Sequence, residues 1–217
     1  MTRRLHVTTG FDMTRMLLKI AGAALLVGAL SPSLLLAQSG DAAAGQGKAA
    51  ACAACHGQNG VAPSAEFPSL AGQVPGYIAT QLRLFKDKER ENAIMAGMVI
   101  GLSEQDMADL DAFYSSQPAI AGSITPEQEE QALAGRALYR SGNADYQIPA
   151  CMSCHAPDGA GIAPKFPRLA GQSPVYIKSS LLAYKDGRRK NNIMSHIAFP
   201  LSMEQIEALT VYISGLN

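Results

Sequence analysis

Two kinds of apolar pattern run along this chain. From residue 20 to 37 the stretch IAGAALLVGALSPSLLLA is apolar throughout and carries no charge. Beyond it, apolar residues recur three and four positions apart among polar neighbours, which is the spacing of one face of a helix. This pattern predicts helices over 41–54, 75–89, 126–139 and 174–188, with Tyr77, Ile78, Leu82 and Phe85 as the buried stripe of one of them. Ser103 lies three residues before Asp106, and Ser202 three before Gln205, so each serine starts a further helix, ending near 116 and 216. Thr125, Pro126 and Gln128 supply an N-cap, a first-turn proline and a capping box. No alternating strand pattern appears, and the chain is expected to be all-α.

The continuous apolar run has a different meaning. Arg3, Arg4, Arg15 and Lys19 precede it and the small residues AQSGDAAAG follow it, which describes a secretory signal peptide over residues 1–39. The run is about the minimum for a membrane anchor, but Pro32 and the small-residue exit favour cleavage. Acids and bases balance at 18 each over the whole chain, so no basic field points to nucleic acid. Without the leader, residues 40–122 hold 5 basic and 9 acidic groups, and residues 123–217 hold 9 and 8. The exported product is therefore expected to be electrically lopsided, which would steer different partners to different ends.

The chain after the leader is an internal repeat. Adding 99 to a residue number carries 52–114 onto 151–213 without a gap, with 23 identities in 63 positions. FPSLAGQVPGYI (67–78) faces FPRLAGQSPVYI (166–177), Asn92 faces Asn191, and Leu102-Ser103 faces Leu201-Ser202. Two domains are expected, over 40–118 and 119–217, joined by the short Pro/Gly/Ser stretch 116–124. Domains this small bury little by themselves, so each needs a further component in its core.

The four cysteines suggest that component. They form two CxxC pairs, each followed at once by histidine: CAACH (Cys52, Cys55, His56) and CMSCH (Cys151, Cys154, His155). A thioredoxin-like pair needs a βαβ frame, which is missing here. A zinc site gives no reason for histidine beside the second cysteine twice over, and two disulfides give none either. C-x-x-C-H is the signature of covalent c-type haem attachment, so two haem c groups are expected. An iron held by one histidine calls for a second axial ligand. The methionine shared by both halves is Met95 with Met194; Met98 aligns with Ile197, Met107 with Ile206, and His196 with Gly97. Met95 and Met194 are therefore the expected partners of His56 and His155, with His196 as a rival in the second half. Gly45 and Gly135 are read as sites of close approach to Phe113 and Tyr212. Tyr77 and Tyr176 are read either as propionate partners or as core. The charged run over 86–91 is read as a solvated helix end.

Two CxxCH domains, FPxLAGQxxxYI after each, and methionine seven residues before each Leu-Ser helix start resemble the di-haem cytochrome c4 family over essentially all of the exported chain. The resemblance implies two tandem class I cytochrome c domains, each wrapped around a covalent haem c, with Pro68 and Pro167 offering carbonyls to the ligand histidines. It implies a periplasmic electron carrier, with no catalytic residues, passing electrons to a haem–copper terminal oxidase. The upstream donor would be a quinol-oxidising complex or a dehydrogenase, and the carrier would associate loosely with the periplasmic face of the inner membrane. The alternative function is the electron-transfer subunit of a periplasmic dehydrogenase such as flavocytochrome c sulfide dehydrogenase. A di-haem peroxidase would need a releasable iron position, which paired methionines argue against.

Overall fold

The computed structural model describes residues 39–217, so the predicted leader lies outside the described residues apart from Ser39. The first half contains helices α1 (Ala42–Ala49), α2 (Ala53–His56), α3 (Tyr77–Lys86), α4 (Ala93–Val99) and α5 (Glu104–Ser115). The second contains α6 (Glu129–Ser141), α7 (Met152–His155), α8 (Pro174–Lys185), α9 (Met194–Ala198) and α10 (Met203–Ser214). Among the described residues there is no strand and no helix long and apolar enough to cross a membrane. The first predicted helix, 41–54, is split: α1 stops at Ala49, and the chain turns before α2 carries the CxxCH motif. The short α4 and α9, which carry the paired methionines, had no periodic signal long enough to announce them.

Helix starts follow the sequence chemistry. Asp41 caps α1 by accepting from the N–H groups of Ala43 and Ala44. Ser103 with Asp106 and Ser202 with Gln205 form complete capping boxes. Gln128 accepts from the Thr125 N–H at the short 3₁₀ turn Pro126–Gln128 that leads into α6. The equivalent starts of α3 and α8 are capped by different means. Ser173 accepts from Tyr176 N–H with Pro174 in the first turn of α8. At α3 the buried carboxylate of Asp111, reaching from α5, accepts from the N–H groups of Gly76, Ile78 and Ala79 at 2.7, 2.8 and 3.2 Å. A negative charge there also complements the helix dipole.

Each half has its own apolar core, built where α1 crosses α5 and α6 crosses α10. The two cores are filled by a large-for-small exchange. In the first, Tyr114 on α5 and Ala49 on α1 are both buried; in the second, Tyr139 on α6 and Ile213 on α10 are. The bulky ring changes helix while the crossing is kept, as close packing at fixed volume requires.

The halves are strapped together by the glutamines of the two FPxLAGQ blocks. Gln73 accepts from Arg168 N–H (2.7 Å) and donates to its carbonyl (3.2 Å). Gln172 does the same to Ser69, at 2.9 Å in both directions. The neighbouring glycines, Gly72 and Gly171, have φ of +66° and +70°, and a Cβ there would press on Ala119 and on the Ile120 carbonyl. The connecting stretch therefore runs directly across both motifs, and Gly122 N–H donates to Leu216 O, so the predicted linker is a packed part of the fold.

Candidate functional site

α2 and α7 present their cysteines and histidines to one cavity of about 1160 Å³, which reaches into both halves. All eight residues singled out from the sequence line it: Cys52, Cys55, His56 and Met95 from the first half, Cys151, Cys154, His155 and Met194 from the second. Its volume exceeds the roughly 300–1,000 Å³ of an ordinary single-ligand pocket, and its walls are mainly apolar. None of the four cysteines forms a disulfide. Among the described residues, no group of three or more His, Cys, Asp or Glu side chains converges as a metal cage would require, so the zinc reading finds no site.

The histidines are held in one tautomer. His56 Nδ1 lies 2.8 Å from Pro68 O, and His155 Nδ1 lies 3.0 Å from Pro167 O. A carbonyl can only accept, so Nδ1 carries the proton and Nε2 is left with a free lone pair. Burial lowers the affinity of both rings for a second proton, against the pull of the proline carbonyls. Phe67 and Phe166 pack edge-on against the two imidazoles, so the FP pair of each repeat orients the ring from two sides. Burial pushes the Cys151 thiol up to about 11 and raises Cys52 as well.

The methionines are positioned by the paired asparagines. Asn92 Oδ1 accepts from Met95 N–H, and Asn191 Oδ1 accepts from Met194 N–H, both at 2.9 Å. Met95 and Met194 are partly buried against their respective cores. Met98 is 42% exposed at the cavity margin. His196 is exposed, lies outside the cavity wall, and its Nδ1 bonds the carbonyl of Asn192, just ahead of α9. The rival to Met194 thus faces away from the second set.

Two further residues escaped the sequence reading. Arg90, inside the charged run taken as solvated, is only partly exposed: it stacks on Phe85 and donates to Gln81 (2.7 Å) and, across the junction, to Tyr176 Oη (3.0 Å). Its repeat partner Arg189 is buried, stacks on Tyr184, and donates to Tyr77 Oη (3.1 Å) and Gln81 (3.0 Å) of the first half. Tyr77 and Tyr176 are thus neither simple core nor free, and the repeat register that pairs Arg90 with Arg189 was the signal available. Burial raises both phenols and the charges of Arg90 and Arg189 oppose it, leaving Tyr77 raised and Tyr176 lowered.

A helical fold in two like halves, each offering two thiols, a tautomer-locked histidine and a methionine to an apolar cavity, defines a tandem c-type cytochrome. A family model for cytochrome c matches residues 42–117 and again 132–217. Cytochrome c4 of Pseudomonas aeruginosa is 43% identical over 184 residues, covering 82% of this chain and 90% of that protein. The crystal structure of reduced recombinant cytochrome c4 from Pseudomonas stutzeri superposes with a TM-score of 0.78 at 41% identity, covering 82% of this chain and all of that one. A thiosulfate dehydrogenase electron acceptor of Thiomonas intermedia is 37% identical over 178 residues, 80% of this chain and 82% of that protein. The chain belongs to the cytochrome c4 family, and with it come two covalent haem c groups and a role in electron transfer.

Proposed function

We propose that this chain is a periplasmic carrier that takes electrons from a respiratory donor and delivers them to a haem–copper terminal oxidase. In this reading residues 1–39 are removed on export, and the two haem domains are 40–118 and 119–217. Cys52 and Cys55 would hold one haem, with His56 and Met95 as the side chains offered to its iron; Cys151 and Cys154 would hold the other, with His155 and Met194. When bound, each haem supplies a one-electron ferric–ferrous couple whose potential is raised by a thioether ligand. The protein's share is orientation and dryness. Pro68 and Pro167 fix the imidazole planes and leave Nε2 as the donor atom. Asn92 and Asn191 hold the methionine helices at the cavity. The Gln73 and Gln172 straps keep the two halves in one rigid relation, so that an electron on either side sees a fixed path.

The observation that supports this most is the duplication: both sets contain a methionine held by the same asparagine cap. The test is the optical spectrum of the protein matured in an exporting host, with a pyridine haemochrome count and the far-red sulfur-to-ferric-iron band. Two haems per chain are expected, with M95A and M194A each removing half of the band. A wild-type band of half strength would sink the paired-ligand reading and favour an enzyme with one open iron. A second reading, service to one dehydrogenase, is favoured by the relative named as a thiosulfate dehydrogenase electron acceptor. Co-purification with a larger subunit at native expression would support it over a free carrier.

A further inference from the structure

The segments that carry the two methionines are lightly packed. α4 and α9 each bury only one residue fully, Val99 and Ala198. The large apolar residues that follow them stand in solvent: Ile100 is 80% exposed and its repeat partner Phe199 71%. An added Cβ on Gly97 or Gly101 would meet nothing within 4 Å. Few buried apolar contacts let a segment open at low cost, yet a side chain offered to an iron has to stay in place. Polar ties at the two ends supply the hold. At the front, the side chains of Asn92 and Asn191 accept from the N–H groups of Met95 and Met194. At the back, the tie is a lysine. Lys86, the last residue of α3, donates to Leu102 O, and Lys185, the last residue of α8, donates to Phe199 O. The two lysines are repeat partners, and both acceptors lie in the short turn between the methionine helix and the last helix of the half. The Lys185 ammonium also stands 5.7 Å from the centre of the Phe199 ring, within reach of a cation–π attraction. Among the described residues, neither lysine has a carboxylate within ion-pair distance. A backbone carbonyl is the partner of each ammonium, and such charge-assisted bonds are roughly twice as strong as neutral ones.

We propose that Lys86 and Lys185 are positioning residues for the two methionines: each clasps the turn behind Met95 or Met194 and so sets how readily that thioether leaves the iron. This rests on the reading of Met95 and Met194 as iron ligands. The lysines act through the turn that follows each methionine helix. The clasps are separate, one to each half, so each lysine governs one iron only. An iron with both axial positions filled exchanges electrons and takes up no ligand from solution, so the clasps bear directly on what keeps this chain a carrier.

The experiment follows imidazole binding to the oxidised, haem-loaded full protein by loss of the far-red sulfur-to-iron band. It is run at saturating imidazole, where departure of the methionine limits the rate, on the wild type, K86Q, K185Q, K86R, K185R and R83Q. Hydrogen exchange over residues 93–102 and 194–201 and melting temperature are measured on the same samples. Arg83 pairs with Glu104, tying α3 to α5 without touching either methionine segment, so R83Q loosens the first half with its clasp intact. The expected result is that K86Q and K185Q each speed the loss of one half of the band by about tenfold and leave the other half at the wild-type rate. Faster hydrogen exchange should be confined to the methionine segment of the same half. K86R and K185R, which keep a cationic donor, should stay near the wild type, and R83Q should lower the melting temperature alone. Three results would overturn the proposal: glutamine variants with unchanged imidazole rates, either glutamine variant speeding both halves alike, or R83Q speeding imidazole binding as much as K86Q. Failure of the ligand reading itself would appear separately, as a wild-type band of half strength before any imidazole is added.

Discussion

Gly45 and Gly47 lie two residues apart in α1, and the structure assigns opposite signs to the same substitution at each. A Cβ on Gly45 would stand 2.0 Å from the carbonyl oxygen of Asp109, 2.6 Å from its carbon and 2.8 Å from Phe113 Cβ. Non-bonded heavy atoms prefer about 3.5 Å, so α1 and α5 would have to part by more than 1 Å, roughly, at their crossing. The obstruction is backbone, which has no rotamer to retreat into, and this puts the cost toward the upper end of the roughly 1–3 kcal/mol typical of overpacking. Replacing glycine by alanine inside a helix returns about 1 kcal/mol. The net loss for G45A is then about 2 kcal/mol, which lowers the melting temperature of a half this size by on the order of 10 °C. Gly47 has nothing within 4 Å of an added Cβ, so G47A keeps the propensity gain and should raise the melting temperature by a few degrees. Thermal melts followed by far-ultraviolet circular dichroism, with the haem band as a local probe, check both. G45A melting with the wild type, or both variants moving in the same direction, would refute the close crossing as the reason for glycine.

Further outcomes follow from other contacts. Q73A/Q172A removes the paired amide straps; at about 1 kcal/mol per hydrogen bond the junction should loosen enough for denaturant unfolding to resolve two transitions, and one sharp transition at the wild-type midpoint would count against the straps. Asp109 accepts from Asp41 N–H, Lys48 and Gln105, which together hold its carboxyl down to about 2 from an ordinary 3.8. A depressed carboxyl contributes stability above its unfolded pKa and loses it as pH falls through the folded one. Wild-type melting temperature should therefore drop between about pH 4 and pH 2, and D109N should melt lower at neutral pH with a flatter profile in that window. Y139F deletes the 2.7 Å bond to Ala156 O, which keeps only the N–H of Gly159 at 3.1 Å; a loss of about 1 kcal/mol should lower the urea midpoint without changing the slope, and an unchanged midpoint would mean that the Gly159 bond alone satisfies that carbonyl.

The repeat register alone paired Cys52 with Cys151, His56 with His155 and Met95 with Met194, because residues that do the same job in two copies keep the same spacing. The helix starts at Ser103 and Ser202 were equally legible, since capping is a local interaction between a side chain and the next turn of backbone. Gly45 was read as a close-approach point and lies at one. The misjudged residues have partners that are distant in sequence. Arg90 looked like part of a solvated charge run because its acceptor Tyr176 is 86 residues away. Asp111 has no local sign of capping a helix that begins more than thirty residues earlier. Tyr139 and Tyr114 reveal their exchange of place only when α6 meets α10 and α1 meets α5.

The sequence by itself determined the helical class, the duplication, the chemistry of the two CxxCH sets and the methionines that recur with them. These depend on periodicity and spacing, which are properties of the chain taken a few turns at a time. Only the tertiary structure decided that both sets open on one cavity, that FPxLAGQ glutamines strap the halves, and that two arginines meet at the junction without a carboxylate. Those facts depend on which surfaces face each other once two cores pack side by side, and burial, not spacing, sets the energy of a charge placed between them.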